Sequence, residues 1–138
     1  MAEEAVPVLT SARALAAQID AGEITPGAVA EACIARVQAR ESEVLAWTHF
    51  DPAALRAAAR EAESAPPRGP LHGIPMAVKD IFDTRDMPTG YGTPAYAGHR
   101  PPWDAAVVAL ARRAGALVAG KTVTTELAYF HPGPTRNP

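Results

Sequence analysis

Proline content constrains the fold of this chain more than any other sequence feature. The 138 residues contain 14 prolines, most of them in clusters at 65–75, 88–102 and 132–138. Proline fixes φ and has no backbone N–H, so helix interiors and central strands exclude it. The clusters therefore separate a helical front, about 1–64, from a segment of short elements at about 71–138. At this length we expect no more than one domain.

Capping signals and hydrophobic spacing predict the elements between these clusters. A capping side chain followed by proline stands at Thr25-Pro26 and again at Asp51-Pro52, which is typical of helix starts. Further caps are expected at Thr10 or Ser11 and at Asp104. After the front, apolar runs alternate with helical patterns, which favours an α/β layer with a partly parallel sheet. We predict helices over 10–20, 26–42, 53–63 and 104–114, strands over 45–50, 74–78 and 116–119, an ordered loop over 82–102, and a short helix from Thr124 or Thr125 to Phe130.

The composition argues against several classes of function. The net charge is -2, from 13 basic and 15 acidic residues, and aromatic residues make up 6%, so nothing favours a nucleic-acid partner. A single cysteine, Cys33, cannot form an internal disulfide and suits a reducing cytosol. The acidic start has no signal-peptide pattern, and no apolar run reaches the length of a membrane span. We expect a cytoplasmic protein without a membrane segment, a metal or a cofactor.

Lys79 is the candidate catalytic residue. It follows the apolar run from Ile74 to Val78, a pattern that predicts a buried strand delivering polar residues at its end. A lysine at a strand end is most often a solvated surface residue. It can act as a base only when it is neutral, and burial lowers its pKa. We expect Ile74, Ala77 and Val78 to provide that apolar surround, and the neighbouring Asp80 to have a structural role.

The stretch Leu71-His-Gly-Ile-Pro-Met-Ala-Val-Lys-Asp80 resembles the amidase-signature family, whose pattern here is Gly-[Ile/Val]-Pro-x-x-[Val/Leu]-Lys-[Asp/Glu]. Further blocks agree with the family in order and spacing. They are Met87-Pro-Thr-Gly90, Asp104-Ala-Ala-Val-Val108, Ala114-Gly-Ala-Leu-Val-Ala-Gly-Lys-Thr122, and Thr125-Glu-Leu127 through Gly133-Pro-Thr-Arg-Asn-Pro138. The resemblance is firm over about 71–138 and looser over the helical front.

The resemblance implies the N-terminal part of an α/β fold in which helices flank a mixed β-sheet. It also implies hydrolysis of a small-molecule carboxamide to a carboxylic acid and ammonia. The family's catalytic unit is a lysine, here Lys79, with a serine in a cis peptide linkage and a nucleophilic serine. Both serines lie beyond the Arg-Asn-Pro block that ends at Pro138, so we expect the chain alone to be inactive.

Three alternatives remain open. The amide-releasing subunit of a tRNA-dependent amidotransferase carries the same signature, and a non-catalytic amidase-like fragment or binding module would account for the missing serines. Residues 115–122 also fit the phosphate-binding pattern G-x-x-x-x-G-K-[ST]. A P-loop needs a strand before its first glycine, whereas here a helix is predicted, which makes a P-loop NTPase the weakest interpretation. Lys121 is then a strand-end or structural residue. We further expect self-association through exposed sheet edges.

Overall fold

The computed structural model describes residues 10–137. Residues 1–9 of the predicted helical front, and Pro138 of the last proline cluster, lie outside that range. The described part contains four α-helices, three strands and two short 3-10 turns. In chain order the main elements are α1 (Ala12–Asp20), α2 (Pro26–Val44), β1 (Trp47–Phe50), α3 (Pro52–Ser64), β2 (Pro75–Lys79), α4 (Ala106–Arg113) and β3 (Leu117–Thr122). Each of these elements corresponds to one predicted from the sequence.

The three strands form one mixed sheet in the order β1-β3-β2. The last strand in sequence, β3, lies in the centre. It runs parallel to β2, where Pro75 pairs with Leu117 and Lys79 with Thr122. It runs antiparallel to β1, where Phe50 pairs with Gly120. The predicted partly parallel sheet is confirmed.

Helices cover both faces of the sheet, as predicted. Successive side chains of a strand point to opposite faces. Leu117 and Ala119 accordingly pack with Ile34 of α2 and Leu55 of α3. Val118, between them, packs on the other face in a cluster with Val78, Met87 and the α4 residue Val108. The central strand is buried on both sides, which explains why its sequence reads as a continuous apolar run.

Three of the predicted helix caps form. The side chains of Ser11 and Thr25 accept hydrogen bonds from the backbone N–H groups of Ala14 and Ala28. Asp51 accepts from two backbone N–H groups at the start of α3. Such caps satisfy N–H groups that have no partner inside the helix, at about 1 kcal/mol each.

The cap predicted at Asp104 is wrong. Ala105 holds the capping position of α4, with no side-chain bond to the helix. The Asp104 carboxylate instead accepts a hydrogen bond from the backbone N–H of Arg85 and lies 3.2 Å from Nε of Arg112. A buried carboxylate is stabilised more by a guanidinium than by a helix N–H, so it links α4 to the preceding loop.

Other boundaries and environments also differ from expectation. The predicted short helix to Phe130 is a single 3-10 turn, Glu126–Ala128, and Thr125 makes no capping bond to it. Strand β3 extends to Thr122 rather than ending at residue 119. Trp103 is 69% exposed.

Candidate active site

Lys79 is the last residue of β2, and its backbone is held firmly. Its carbonyl accepts a hydrogen bond from the N–H of Phe82, which turns the chain away from the strand. Its side chain is exposed. The apolar surround expected from the sequence is therefore wrong for this chain: Ile74 and Val78 are buried, but Ala77 is exposed. Ala77 lies two residues before Lys79, on the same face of the strand.

Asp80 anchors the end of β2 through both its backbone and its side chain. Its N–H donates to the carbonyl of Thr122 at 2.8 Å, and its carbonyl accepts from the N–H of Tyr91 at 3.1 Å. Its Oδ2 accepts from the N–H of Gly90 at 3.1 Å. The side chain is 6% exposed. The structural role predicted for Asp80 agrees with these contacts.

Lys121 is the most deeply buried charged residue of the described chain, with no exposed surface. Its Nζ donates to Oγ1 of Thr89 at 2.6 Å and to the carbonyl of Pro88 at 3.3 Å. The same Nζ lies 3.0 Å from Oδ1 of Asp80, at an angle that makes the contact ionic rather than an aligned hydrogen bond. Burial lowers the pKa of Lys121, and the Asp80 carboxylate opposes that shift.

A β-bulge determines which way Lys121 points. Met76 pairs with Val118 and Ala77 with Gly120, so β3 has one extra residue between these two pairs. Beyond the extra residue, each side chain of β3 points to the face opposite to the one it would otherwise occupy. Lys121 consequently lies on the same face as its partner Val78, whereas Lys79, one residue further along β2, lies on the opposite face.

The loop between β2 and α4 packs over Lys121. The N–H of Thr89 donates to the carbonyl of His99, and the N–H of Leu127 donates to the carbonyl of Tyr91. The Tyr91 hydroxyl donates to the carboxylate of Asp83. This hydrogen bond, with burial and the charge of Asp83 adding to it, raises the pKa of Tyr91 to about 12. The predicted long ordered loop is thus hydrogen-bonded within itself and to the segment that follows β3.

The phosphate-binding pattern at 115–122 lies in a setting that does not fit a P-loop. Gly115 ends α4, and its carbonyl accepts a hydrogen bond from the N–H of Gly73. The residues that follow form β3, whose backbone is engaged in the sheet. A P-loop instead presents free N–H groups to phosphate. The pattern's lysine, Lys121, is fully buried and bound to Thr89, so it has no access to a nucleotide.

A cleft of about 280 Å³ lies between α3 and α4 and does not include Lys79. Three arginines line it, Arg68, Arg85 and Arg112. Arg68 and Arg112 are paired with the carboxylates of Glu61 and Asp86 at 2.7 Å, and Arg85 lies 3.8 Å from the carboxylate of Asp104. Because each arginine has a carboxylate partner, none of them is left unpaired for an anion.

The histidines and carboxylates of the described chain do not converge on a common point. Within residues 10–137, no group of three or more His, Cys, Asp or Glu side chains is arranged to hold a metal ion. His72 is buried, and its Nδ1 accepts a long hydrogen bond from the N–H of Arg68. Over the same residues, no helix combines the length and apolarity needed to cross a bilayer.

Comparison with known families connects this geometry to a group of enzymes. The family model described as Amidase matches residues 28–138, which include β2, the 82–102 loop and β3. The chain belongs to the amidase family. The resemblance inferred from the motif blocks is confirmed, and the match extends into the helical front, where the blocks were weaker.

Amidase relatives agree with this assignment at both the sequence and the structural level. A glutamyl-tRNA(Gln) amidotransferase subunit of Chloroflexus aurantiacus is 41% identical over 116 residues, covering 81% of this chain and 24% of that protein. The native peptide amidase of Stenotrophomonas maltophilia is 34% identical, with a TM-score of 0.80 over 91% of this chain and 27% of that one. Fatty acid amide hydrolase, 23% identical with a TM-score of 0.85, shows the same fold over 94% of this chain and 25% of that one. The chain spans about a quarter of the length of the relatives it matches.

Sequence reasoning located Lys79 but missed the buried cluster behind it. Lys121 was assigned a structural role with no partner named, and Thr89 was only part of a motif block. The missed signal was that one apolar strand contains a lysine while a second apolar strand is followed directly by an aspartate. A buried lysine requires a partner. Asp80 was the acidic candidate nearest to a strand end in the sequence.

Proposed function

We propose that this chain provides the catalytic lysine, Lys79, of an amidase that hydrolyses a carboxamide to a carboxylic acid and ammonia. The observation that supports this most is the contrast between the two lysines at the ends of the parallel strands. Lys121 is fully buried and occupied by protein partners, whereas Lys79 has an anchored backbone and an exposed side chain. Of these two, Lys79 is the one available to a reacting group, and it stands in the amidase motif.

In the proposed mechanism Lys79 acts as a general base through a relay. A neutral Lys79 amine accepts a proton from a serine in a cis peptide linkage, which in turn accepts the proton of a nucleophilic serine. The nucleophile attacks the amide carbon, the C–N bond breaks, and the returning proton leaves with the amine as ammonia. Water then hydrolyses the acyl-serine. Both serines belong to a part of the amidase fold that follows Pro138 in the family pattern.

The exposure of Lys79 has a consequence for this mechanism. The Lys79 side chain is exposed, whereas a lysine serves as a base only in its neutral form, which burial favours. In the proposal, the remaining part of the amidase fold packs against the face of the sheet that carries Lys79 and excludes water. The loss of water favours the neutral form of the Lys79 amine. The chain alone is therefore expected to be inactive.

A fusion protein tests the proposal. Residues 1–138 are joined to the remaining portion of the Stenotrophomonas maltophilia peptide amidase, the 34% identical structural relative. A fusion with a cooperative thermal melt should release ammonia from a small carboxamide, and Lys79→Ala should abolish that release. The 138-residue chain alone should release no more ammonia than its own Lys79→Ala variant. Equal activity of the folded fusion and its Lys79→Ala variant would exclude the proposed role.

The relatives' names favour a second candidate, the amide-releasing subunit of a tRNA-dependent amidotransferase. Several amidotransferase subunits match this chain, including one from Streptomyces coelicolor at 39% identity over 140 residues. Such a protein would transfer the released ammonia to a second substrate instead of releasing it into solution. A carboxamide labelled with isotopic nitrogen separates the two functions. A stand-alone amidase releases all of the label as free ammonia. A transferase that is supplied with its partner subunits, glutamyl-tRNA(Gln) and the ATP that activates the glutamate carboxylate would pass the label to the tRNA-bound glutamate, with phosphate as the leaving group.

A further inference from the structure

The buried cluster of Asp80, Thr89 and Lys121 takes no part in the proposed mechanism. None of the three side chains is accessible, since each residue lies below a tenth of its full exposure. Burying a lysine and an aspartate together is unfavourable unless hydrogen bonds satisfy both groups. An ordinary core would place apolar residues here, so the cluster needs an explanation beyond stability.

The cluster joins the strand ends that flank the backbone of Lys79. Asp80 follows Lys79 directly and bonds to β3 through Thr122 and to the loop through Gly90 and Tyr91. Lys121 bonds to the same loop through Pro88 and Thr89. The ion pair between Lys121 and Asp80 closes this network at 3.0 Å.

The bulge in β3 is what makes the network possible. Without the extra residue, Lys121 would lie on the face that carries Lys79, and its ammonium could not reach Asp80 from the loop side. Gly120, at the bulge, has no room for a side chain, because a Cβ there would overlap the carbonyl oxygen of His49. The local backbone thus sends Lys121 and Lys79 to opposite faces.

We propose that Lys121 is a positioning residue for Lys79, which it fixes from behind through Asp80 and the 88–91 segment. This inference rests on the proposed function, because it assigns a role relative to Lys79 as the base. Lys121 itself touches no substrate. It holds the strand end still, so that the Lys79 amine stays within the narrow range of positions that proton transfer requires.

Amide hydrogen exchange on the 138-residue chain tests the positioning directly. The double variant Asp80→Asn with Lys121→Met removes both charges together, so that neither is left buried alone. The N–H groups of residue 80, Gly90 and Tyr91 should then exchange about tenfold faster or more. Those of Val29, Leu55 and Leu117, whose hydrogen bonds lie in α2, in α3 and at the other end of β2, should be unchanged.

The pattern of exchange distinguishes positioning from general stabilisation. A purely structural role would accelerate exchange at all six amides together or at none, and either result in a folded variant would overturn the proposal. If the double variant does not fold, Thr89→Val serves in its place, since it removes only the hydroxyl that Lys121 contacts at 2.6 Å. Unchanged exchange at Gly90 and Tyr91 in that variant would equally overturn it.

Activity of the fusion protein gives the second readout. The double variant should lower kcat by about a hundredfold while KM stays near its original value, because misplacing a catalytic group by about 1 Å has an effect of that size. Lys79→Ala should abolish activity and leave the exchange rates of Asp80, Gly90 and Tyr91 unchanged. Locally accelerated exchange in the double variant, together with a fusion that is inactive before any substitution, would count against the proposed function alone. Unchanged exchange together with an active fusion would count against the positioning role.

Discussion

The hydroxyl of Tyr91 donates a hydrogen bond to the carboxylate of Asp83 across the turn that follows β2. The two residues stand at the start and the middle of the loop that covers Lys121. Tyr91 also has a positive φ of 52°, and its ring packs edge-on against Tyr96 with centroids 4.9 Å apart. The hydrogen bond therefore fixes a backbone conformation that a non-glycine residue adopts rarely.

This bond predicts one late-titrating tyrosine. The hydrogen bond to Asp83 raises the pKa of Tyr91 to about 12. Because the folded pKa lies above the unfolded value near 10, the bond contributes its full stability below about pH 10 and loses it as the pH rises through about 12. Absorbance titration of the chain's 3 tyrosines should show one step near pH 12. Tyr91→Phe should remove that step, and Tyr96→Phe should leave it in place.

A substitution at Gly120 should destabilise the chain through steric overlap. A Cβ at this position would overlap the carbonyl oxygen of His49 and lie 3.0 Å from the ring of Trp47. Gly120→Ala should therefore reduce the free energy of unfolding by about 3 kcal/mol, at the upper end of the range for overpacking. Gly22→Ala is the matched control, since its φ is also positive but nothing lies within 4 Å. It should lose about 1 kcal/mol, and equal losses in urea melts would contradict the overlap.

Arg112 should contribute more to stability than a similar arginine on the surface. It bonds both oxygens of Asp86 and lies 3.2 Å from Asp104, whose side chain is 7% exposed. Arg112→Ala leaves the buried Asp104 carboxylate without that cation and should reduce the free energy of unfolding by about 2 kcal/mol. Arg56 makes a comparable two-point pair with the exposed Glu31, so Arg56→Ala should change the urea midpoint little. A larger effect at Arg56 would reverse this ranking.

We also predict that the chain self-associates. β2 lies at the edge of the three-stranded sheet, and an unpaired edge can pair with another copy. Val107 and Leu110 of α4 are also more than half exposed, at 53% and 57%. Light scattering across a concentration series should show species larger than a monomer. A monodisperse monomer with a sharp cooperative melt would contradict the prediction.

Two variants distinguish the surfaces that could drive this association. Ala77→Lys adds a charge to the exposed side of β2 and should reduce association through the strand edge. The paired change Val107→Lys with Leu110→Lys acts on the apolar face of α4 instead. The variant that restores a monomer identifies the surface. Association that persists in both variants would mean that neither surface is responsible.

The elements were predictable from the sequence because each carries a local signal. Thr25-Pro26 and Asp51-Pro52 combine a cap with a proline at the first helical position, and both helices begin there. The end of β3 was predicted too early because the signal there is not local. A lysine inside an apolar run normally marks a strand end, and only the distant Asp80 and Thr89 make Lys121 acceptable in the interior.

The environment of the candidate site was harder to predict, because it depends on contacts between residues that are distant in the sequence. How exposed Lys79 is depends on which elements cover its face of the sheet, and no local sequence pattern encodes that coverage. The bulge between Val118 and Gly120 decides which lysine points to which face, yet it arises from strand pairing rather than from residue type. Asp104 resembles a helix cap in sequence, but the proximity of Arg112 follows only from the packed structure.

The position of β3 in the centre of the sheet has a consequence for how the chain is made. Within the described residues, β1 and β2 each pair only with β3, so neither has a strand partner until β3 is synthesised. A ribosome releases β1 and β2 before the central strand, so both of these strands remain unpaired from the synthesis of Lys79 until β3 emerges. Loop closure over these sequence separations makes sheet formation slow compared with the local helices. During translation, the nascent chain should therefore expose aggregation-prone strand edges until Thr122 has emerged.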